Sequence, residues 1–188
     1  MKTIVIGGGA AGMISAGKVA EKSKVILIER NNCVGKKLSI TGKGRCNLTN
    51  ANGIDFLFEN IFGNKYFLYP AIYNFGIEQT MMFFENLGVK LKIERGGRVF
   101  PASDKSHDII NALKKYMFNN GVKIKLNSKV KDILVKNNKV IGVQTDKEFI
   151  SCDKIILATG GKSYPNTGST GDGYEFAQKL GHKIIKPT

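Results

Sequence analysis

The first twenty-nine residues constrain this chain more than any others. Thr3-Ile4-Val5-Ile6 is a short β-branched run that stops at glycines, and Ala10 to Glu21 has helix-forming composition. Val25-Ile26-Leu27-Ile28 is a second apolar run, and it ends on Glu29. Between the first strand and the helix stands Gly7-x-Gly9-x-x-Gly12. Glycines at this spacing are common and weak evidence alone. Their place directly between strand and helix, with a carboxylate closing the next strand about twenty residues on, is the dinucleotide-binding fingerprint. Gly7 permits the tight turn, Gly9 lets backbone approach a pyrophosphate, and Gly12 lets the helix lie close on the strand. The helix N-terminus then presents free N–H groups and a partial positive charge to phosphates. Glu29 suits the hydroxyls of an adenosine ribose and repels a 2′-phosphate, so FAD or NAD is expected ahead of NADP.

Further along, residues 35 to 50 have neither helical nor strand periodicity and are rich in Gly, Lys, Thr and Asn. They read as a long loop, and such loops inside compact domains are often functional. The window 53–84 holds 10 of the 17 aromatic residues and reads as an inserted helical segment with an aromatic core, or as part of a surface that meets another domain. A hairpin is expected around Gly96-Gly97, a helix from about Asp104 to Asn119, and a strand from Val122 to Leu126. Three short strands at 130–136, 139–145 and 148–151 form an antiparallel meander, the first two joined by Asn137-Asn138.

Lys154 to Ala158 returns as a buried strand that ends in Ala158-Thr159-Gly160-Gly161, where small residues let its carboxyl end approach the first βα turn. A βαβ start, a meander crossover and a strand ending in Ala-Thr-Gly point to an α/β fold: a Rossmann-like FAD-binding domain of the glutathione-reductase type with an aromatic-rich insertion. Residues 1–52 and 104–188 would form that domain, and 53–103 the inserted helical and hairpin segment. An NAD-dependent dehydrogenase on the same fold is the alternative, and the meander and the 35–50 loop disfavour it.

Composition adds boundaries. The net charge of +14 comes from 25 Lys and only 4 Arg, and Arg is the residue that bidentate phosphate and base recognition favours. A solvated Lys surface is the plainer reading, so no nucleic-acid partner is expected, although a flavin-dependent RNA-modifying or RNA-binding protein stays open on the charge alone. Cys33, Cys46 and Cys152 form no close pair, which offers neither a disulfide framework nor a metal knuckle and fits a reducing cytoplasm. No apolar run is long enough to span a bilayer. His107 and His182 read as exposed residues.

Four blocks, GGGAAGM (7–13), GKKLSITGKGRCNLTN (35–50), GGRVFPASDKSHDII (96–110) and ATGGKSYPNTGSTGDGYEFA (158–177), resemble the signatures of bacterial aminoacetone-oxidase-like NAD(P)/FAD-dependent oxidoreductases. Thr170-Gly171-Asp172-Gly173 is also similar to an element of the wider fumarate-reductase and aspartate-oxidase group. The resemblance implies FAD, a small organic substrate and NAD(P)H or oxygen as redox partner. It places Gly7, Gly9, Ala11 and Gly12 at the pyrophosphate, and Glu29 and Arg30 at the adenosine ribose. Lys37 and the loop holding Thr41, Gly42, Arg45, Cys46 and Asn47 would lie along pyrophosphate, ribityl chain and flavin. Val130 would meet the adenine through its backbone, and Ala158, Thr159 and Gly160 would wall the crevice. Asp172 either caps the following helix or touches the cofactor. No catalytic acid or base stands out. Members of the resembled family are longer, so the chain, ending at Lys186-Pro187-Thr188, is expected to lack a C-terminal substrate domain and to be weak or inactive alone.

Overall fold

The computed structural model describes residues 1–185. In chain order the elements begin β1 (Lys2–Ile6), α1 (Ala10–Ala20), β2 (Lys24–Ile28), β3 (Thr49–Asn50), α2 (Ile54–Glu59), α3 (Tyr69–Asn74), α4 (Ile77–Asn86), β4 (Leu91–Glu94), β5 (Arg98–Pro101) and α5 (Ser106–Asn119). They continue β6 (Lys123–Lys125), β7 (Val130–Lys136), β8 (Lys139–Thr145), β9 (Phe149–Ser151), β10 (Lys154–Leu157) and α6 (Asp172–Lys179). The chain divides into a unit of Met1–Lys37 with Leu113–Thr188, and a unit of Leu38–Ala112. Lys186-Pro187-Thr188, where the longer family pattern is expected to continue, lies outside the described residues.

The first unit is built on a parallel sheet of order β10-β1-β2-β6. Ile4, Val5, Ile6, Leu27 and Ile28 are all buried, as apolar strands are when both faces of a parallel sheet are covered. The antiparallel meander β7-β8-β9 turns at Asn137 and Asn138, whose φ of 52° and 56° are the left-handed pair that a two-residue hairpin turn requires. Ile4, Ile6 and Ile28 form one core with Val130, Ile133, Val143 and Ile150 of the meander and Phe176 of α6. Each such side chain contributes roughly 1.5–3 kcal/mol of apolar burial. On α1, Gly17 leaves room for the Tyr116 ring of α5, which stands 2.2 Å from where a Cβ would be. Burial and Glu21, whose carboxylate accepts the Tyr116 hydroxyl at 2.8 Å, push that phenol up to about 12.

The second unit has a sheet of order β3-β5-β4 and the helices α2 to α4. The 35–50 segment is more ordered than a plain loop. Leu38–Gly44 forms 3₁₀ turns broken by an extended Thr41 and left-handed Gly42 and Lys43, and Thr49-Asn50 pairs with β5. A two-residue strand leaves no alternating pattern in sequence, which is why its pairing was not legible there. The aromatic window forms the core expected of it only in part: Phe58 packs on Tyr69 with ring centres 4.2 Å apart and Phe83 on Phe84 at 5.2 Å, but most of the rings are not enclosed. Phe58 and Phe84 are buried, whereas Phe56, Phe62, Tyr66, Phe67, Tyr73 and Phe75 are exposed, Phe62 completely. Short helices of six residues present too little face to enclose so many rings.

Candidate functional site

Hydrogen bonding aligns the carboxyl ends of β1, β2 and β10. The Gly7 N–H donates to Ile28 carbonyl and the Ala158 N–H to Ile6 carbonyl, both at 2.8 Å. Three loops therefore leave one edge of the sheet together: Gly7–Gly9, Glu29–Asn31 and Ala158–Gly161. Ligands of open α/β sheets bind at such an edge.

Two of the three fingerprint glycines have a steric reason within the protein. A Cβ on Gly12 would stand 1.9 Å from the Gly7 carbonyl oxygen, and one on Gly7, at φ +105°, would stand 2.4 Å from the Ala158 oxygen. These two positions are closed by protein backbone. Gly9 differs, because a Cβ there would meet nothing within 4 Å. It caps α1, which has no side-chain cap and no acidic residue in its first turn, and Ala10 and Ala11 beside it are exposed. An open glycine before an uncapped helix N-terminus is a cradle that suits a pyrophosphate.

Glu29 is buried and already employed. One carboxylate oxygen accepts the Gly8 N–H at 2.6 Å, and the other accepts the Asn31 N–H at 2.8 Å and its side-chain amide at 2.6 Å. It therefore braces the glycine turn as well as lying at the β2 end. Asn31 had no signal in the sequence beyond its distance of two residues from Glu29. Arg30 donates to the Thr170 hydroxyl at 3.0 Å and forms an ion pair with Asp172. Burial works to raise the Asp172 carboxyl, but hydrogen bonds from Thr170 and Arg30, with the Arg30 charge, outweigh it and leave the group below its ordinary range. Asp172 is not the cap of α6, a place taken by Gly171 at φ 85°. Thr170 was legible only as part of the Thr-Gly-Asp-Gly block.

The loop 158–171 is threaded closely. A Cβ on Gly173 would stand 2.4 Å from the Thr159 hydroxyl, and one on Gly160, at φ +74°, would stand 2.8 Å from the Ser169 hydroxyl. Lys37 donates to the Ser163 hydroxyl at 3.4 Å and lies 4.8 Å from the centre of the Tyr164 ring. Val130 is buried at the start of β7, opposite Thr145 in the ladder.

Thr41, Gly42, Arg45, Cys46 and Asn47 belong to the second unit. Arg45 donates to Glu94 at 2.9 Å and to Asp104 at 3.3 Å, with its guanidinium 4.0 Å from the centre of the Phe100 ring. Its charge is compensated by these two carboxylates. Cys46 is buried in left-handed backbone at φ 62°; burial pushes its thiol up, against a hydrogen bond with Thr41. A thiol held protonated is a poor redox nucleophile. The Asn47 amide, with its ends assigned to satisfy both, donates to the carbonyls of Thr49 and Val99 at 3.1 and 3.3 Å. His107 and His182 are exposed.

The sequence matches the family described as the HI0933-like protein Rossmann domain over residues 1–188, and the chain belongs to it. This is a class of Rossmann domains that bind FAD in oxidoreductases. The 3-dehydro-bile acid delta(4,6)-reductase of Clostridium scindens is 33% identical over 183 residues, 96% of this chain and 44% of the relative. The ribosomal RNA dihydrouridine synthase of Haemophilus influenzae is 27% identical over 190 residues, 99% of this chain and 47% of the relative. This chain thus spans less than half the length of the curated relatives it matches. In fold, it is similar to a 3-ketosteroid-delta4-(5alpha)-dehydrogenase from Rhodococcus jostii, with TM-score 0.70 at 15% identity, over 96% of this chain and 54% of that one. The expectation that no nucleic acid is involved is not supported, since one of these relatives is named for ribosomal RNA. Among the described residues no helix is long and apolar enough to cross a membrane.

Proposed function

We propose that this chain is the FAD-binding portion of an oxidoreductase that acts on a small organic substrate, with NAD(P)H or oxygen as the redox partner. The observation that carries the reading is the contrast within the glycine turn: Gly7 and Gly12 are closed by backbone, whereas Gly9 is open before an uncapped helix. FAD, when bound, supplies hydride exchange at flavin N5. The protein's own part is to bind and orient. The turn 7–12 and the N-terminus of α1 would receive the pyrophosphate, and Glu29 would use its one remaining lone pair, on the oxygen that accepts from Gly8, for a ribose hydroxyl. Arg30, Asp172 and Val130 would stand at the adenosine end, with Ala158–Gly160 forming the wall. Lys37 and residues Thr41, Gly42, Arg45, Cys46 and Asn47 would follow the rest of the cofactor. Arg45, compensated by Glu94 and Asp104, would serve chiefly to hold its loop. The glutathione-reductase type of topology and the aminoacetone-oxidase-like character belong to the same reading, as do a cytoplasmic setting and a substrate domain beyond this chain.

The test is a visible absorption spectrum of the purified full-length protein with identification of the cofactor released on denaturation. Flavin bands with FAD released are expected; a colourless protein that releases NAD would overturn the reading.

A second reading, RNA as the substrate, is favoured by how the charge is distributed. The unit of Met1–Lys37 and Leu113–Thr188 holds 21 of the 29 cations and 8 of the 15 acids, so nearly all of the excess lies there. Filter binding to ribosomal RNA across a salt series decides it. Strong binding that falls steeply with salt supports RNA, and negligible binding at physiological salt removes it.

A further inference from the structure

At the end of the second strand of a dinucleotide fold, an acid reads the ribose hydroxyls, and an Arg nearby accommodates a 2′-phosphate in NADP-binding relatives. This chain places both types side by side, Glu29 and Arg30. By position alone Arg30 is a receptor for a 2′-phosphate, yet its guanidinium is held elsewhere. One terminal nitrogen donates to the Thr170 hydroxyl at 3.0 Å, and the other pairs with Asp172. Thr170 in turn donates to the second Asp172 oxygen at 2.5 Å, so the three side chains close a ring of hydrogen bonds. The pair is sheltered, with the Arg30 side chain 24% and the Asp172 side chain 16% exposed. In such surroundings a charge-assisted pair is stronger than on an open surface.

We infer that Asp172 is a selectivity residue acting through Arg30: it neutralises and holds the guanidinium, and so closes the adenosine end to 2′-phosphorylated dinucleotides. With Glu29 it sets two carboxylates against one guanidinium at this end of the site. The inference rests on the dinucleotide reading of the Gly7–Glu29 segment. It differs from a purely structural role for the pair, which would tether α6 to the end of β2 without regard to the nucleotide.

The experiment measures binding of 5′-AMP and of adenosine 2′,5′-bisphosphate, which differ only by the 2′-phosphate, to the full-length protein after removal of bound flavin. The unsubstituted protein should prefer 5′-AMP by about tenfold or more. Asp172→Asn, which keeps the shape and removes the charge, should narrow that preference by a gain for the 2′,5′-bisphosphate. Arg30→Met combined with Asp172→Asn should restore it, because the freed cation is gone. Thr170→Val should shift selectivity in the same direction as Asp172→Asn and by less, which keeps the test intact if Asp172→Asn fails to fold. Equal weakening of both nucleotides by Asp172→Asn and by Thr170→Val, or a double variant no different from Asp172→Asn, would overturn the inference alone. Failure of the unsubstituted protein to bind either nucleotide would overturn the dinucleotide reading and this inference with it.

Discussion

In the unit of Met1–Lys37 and Leu113–Thr188, aliphatic side chains from strands meet in one buried core, and the polar groups around the glycine turn are bonded to one another. In the unit of Leu38–Ala112, Val89, Val99, Phe84, Phe100, Ile109 and Ile110 are buried, but most rings of the 53–84 stretch face outward, and a partly exposed network joins Arg45, Lys92, Glu94 and Asp104. Both units leave apolar side chains exposed among the described residues, but in the second the exposed ones include six of the ten rings of one short stretch, 53–84. Hydrophobic pattern and hydrophobic composition therefore carry different information. A strand's continuous apolar run says which residues are buried and against what kind of layer, whereas an aromatic-rich stretch says only that rings are present.

The largest effects should come from substitutions that separate buried from exposed rings in the second unit. Phe84, 2% exposed, should cost about 3–5 kcal/mol when replaced by Ala, measured as a fall in the denaturation midpoint. Phe62→Ser, at a fully exposed ring, should change stability by less than about 0.5 kcal/mol. Equal costs would break the distinction. In the first unit, Gly12→Val should cost about 3 kcal/mol or more, because its Cβ would lie 1.9 Å from backbone that has no room to move.

Smaller effects concern charge. The Asp172 carboxyl lies below its ordinary value, so its contribution to stability is complete above the ordinary Asp range and is lost as pH falls through the lowered value. Thermal unfolding between neutral pH and about pH 3 should thus be less acid-sensitive in Asp172→Asn than in the unsubstituted protein. Arg45→Ala should bring a small, salt-sensitive loss, since that network is open to solvent and Lys92 remains with both carboxylates. A large loss insensitive to salt would show that the Arg45 network matters more than its exposure implies.

These contrasts explain what was legible. Strand, turn, helix and closing acid were readable because Gly7, Gly12 and Glu29 each answer a local constraint and Gly9 completes their spacing. The meander was readable from β-branched runs and from Asn137-Asn138, whose backbone few other residues tolerate. The bonding of Arg30 to Thr170 and Asp172 was not readable, because the partners lie 140 and 142 residues away and meet only through the sheet edge. The fate of the aromatic window was equally hidden, because enclosure depends on the size of the packed surfaces and not on the rings themselves.

The central claim is that the open backbone at Gly9, and not packing around it, receives the cofactor. Gly9 has extended backbone with φ −79° and ψ −170°, and its Cβ position is empty, so Ala fits without strain. The most direct measurement is FAD retention and thermal midpoint of Gly9→Ala in the full-length protein. FAD affinity is predicted to fall about tenfold or more, with stability of the flavin-free protein within about 0.5 kcal/mol of the unsubstituted protein. Undiminished FAD affinity in that variant would contradict the account.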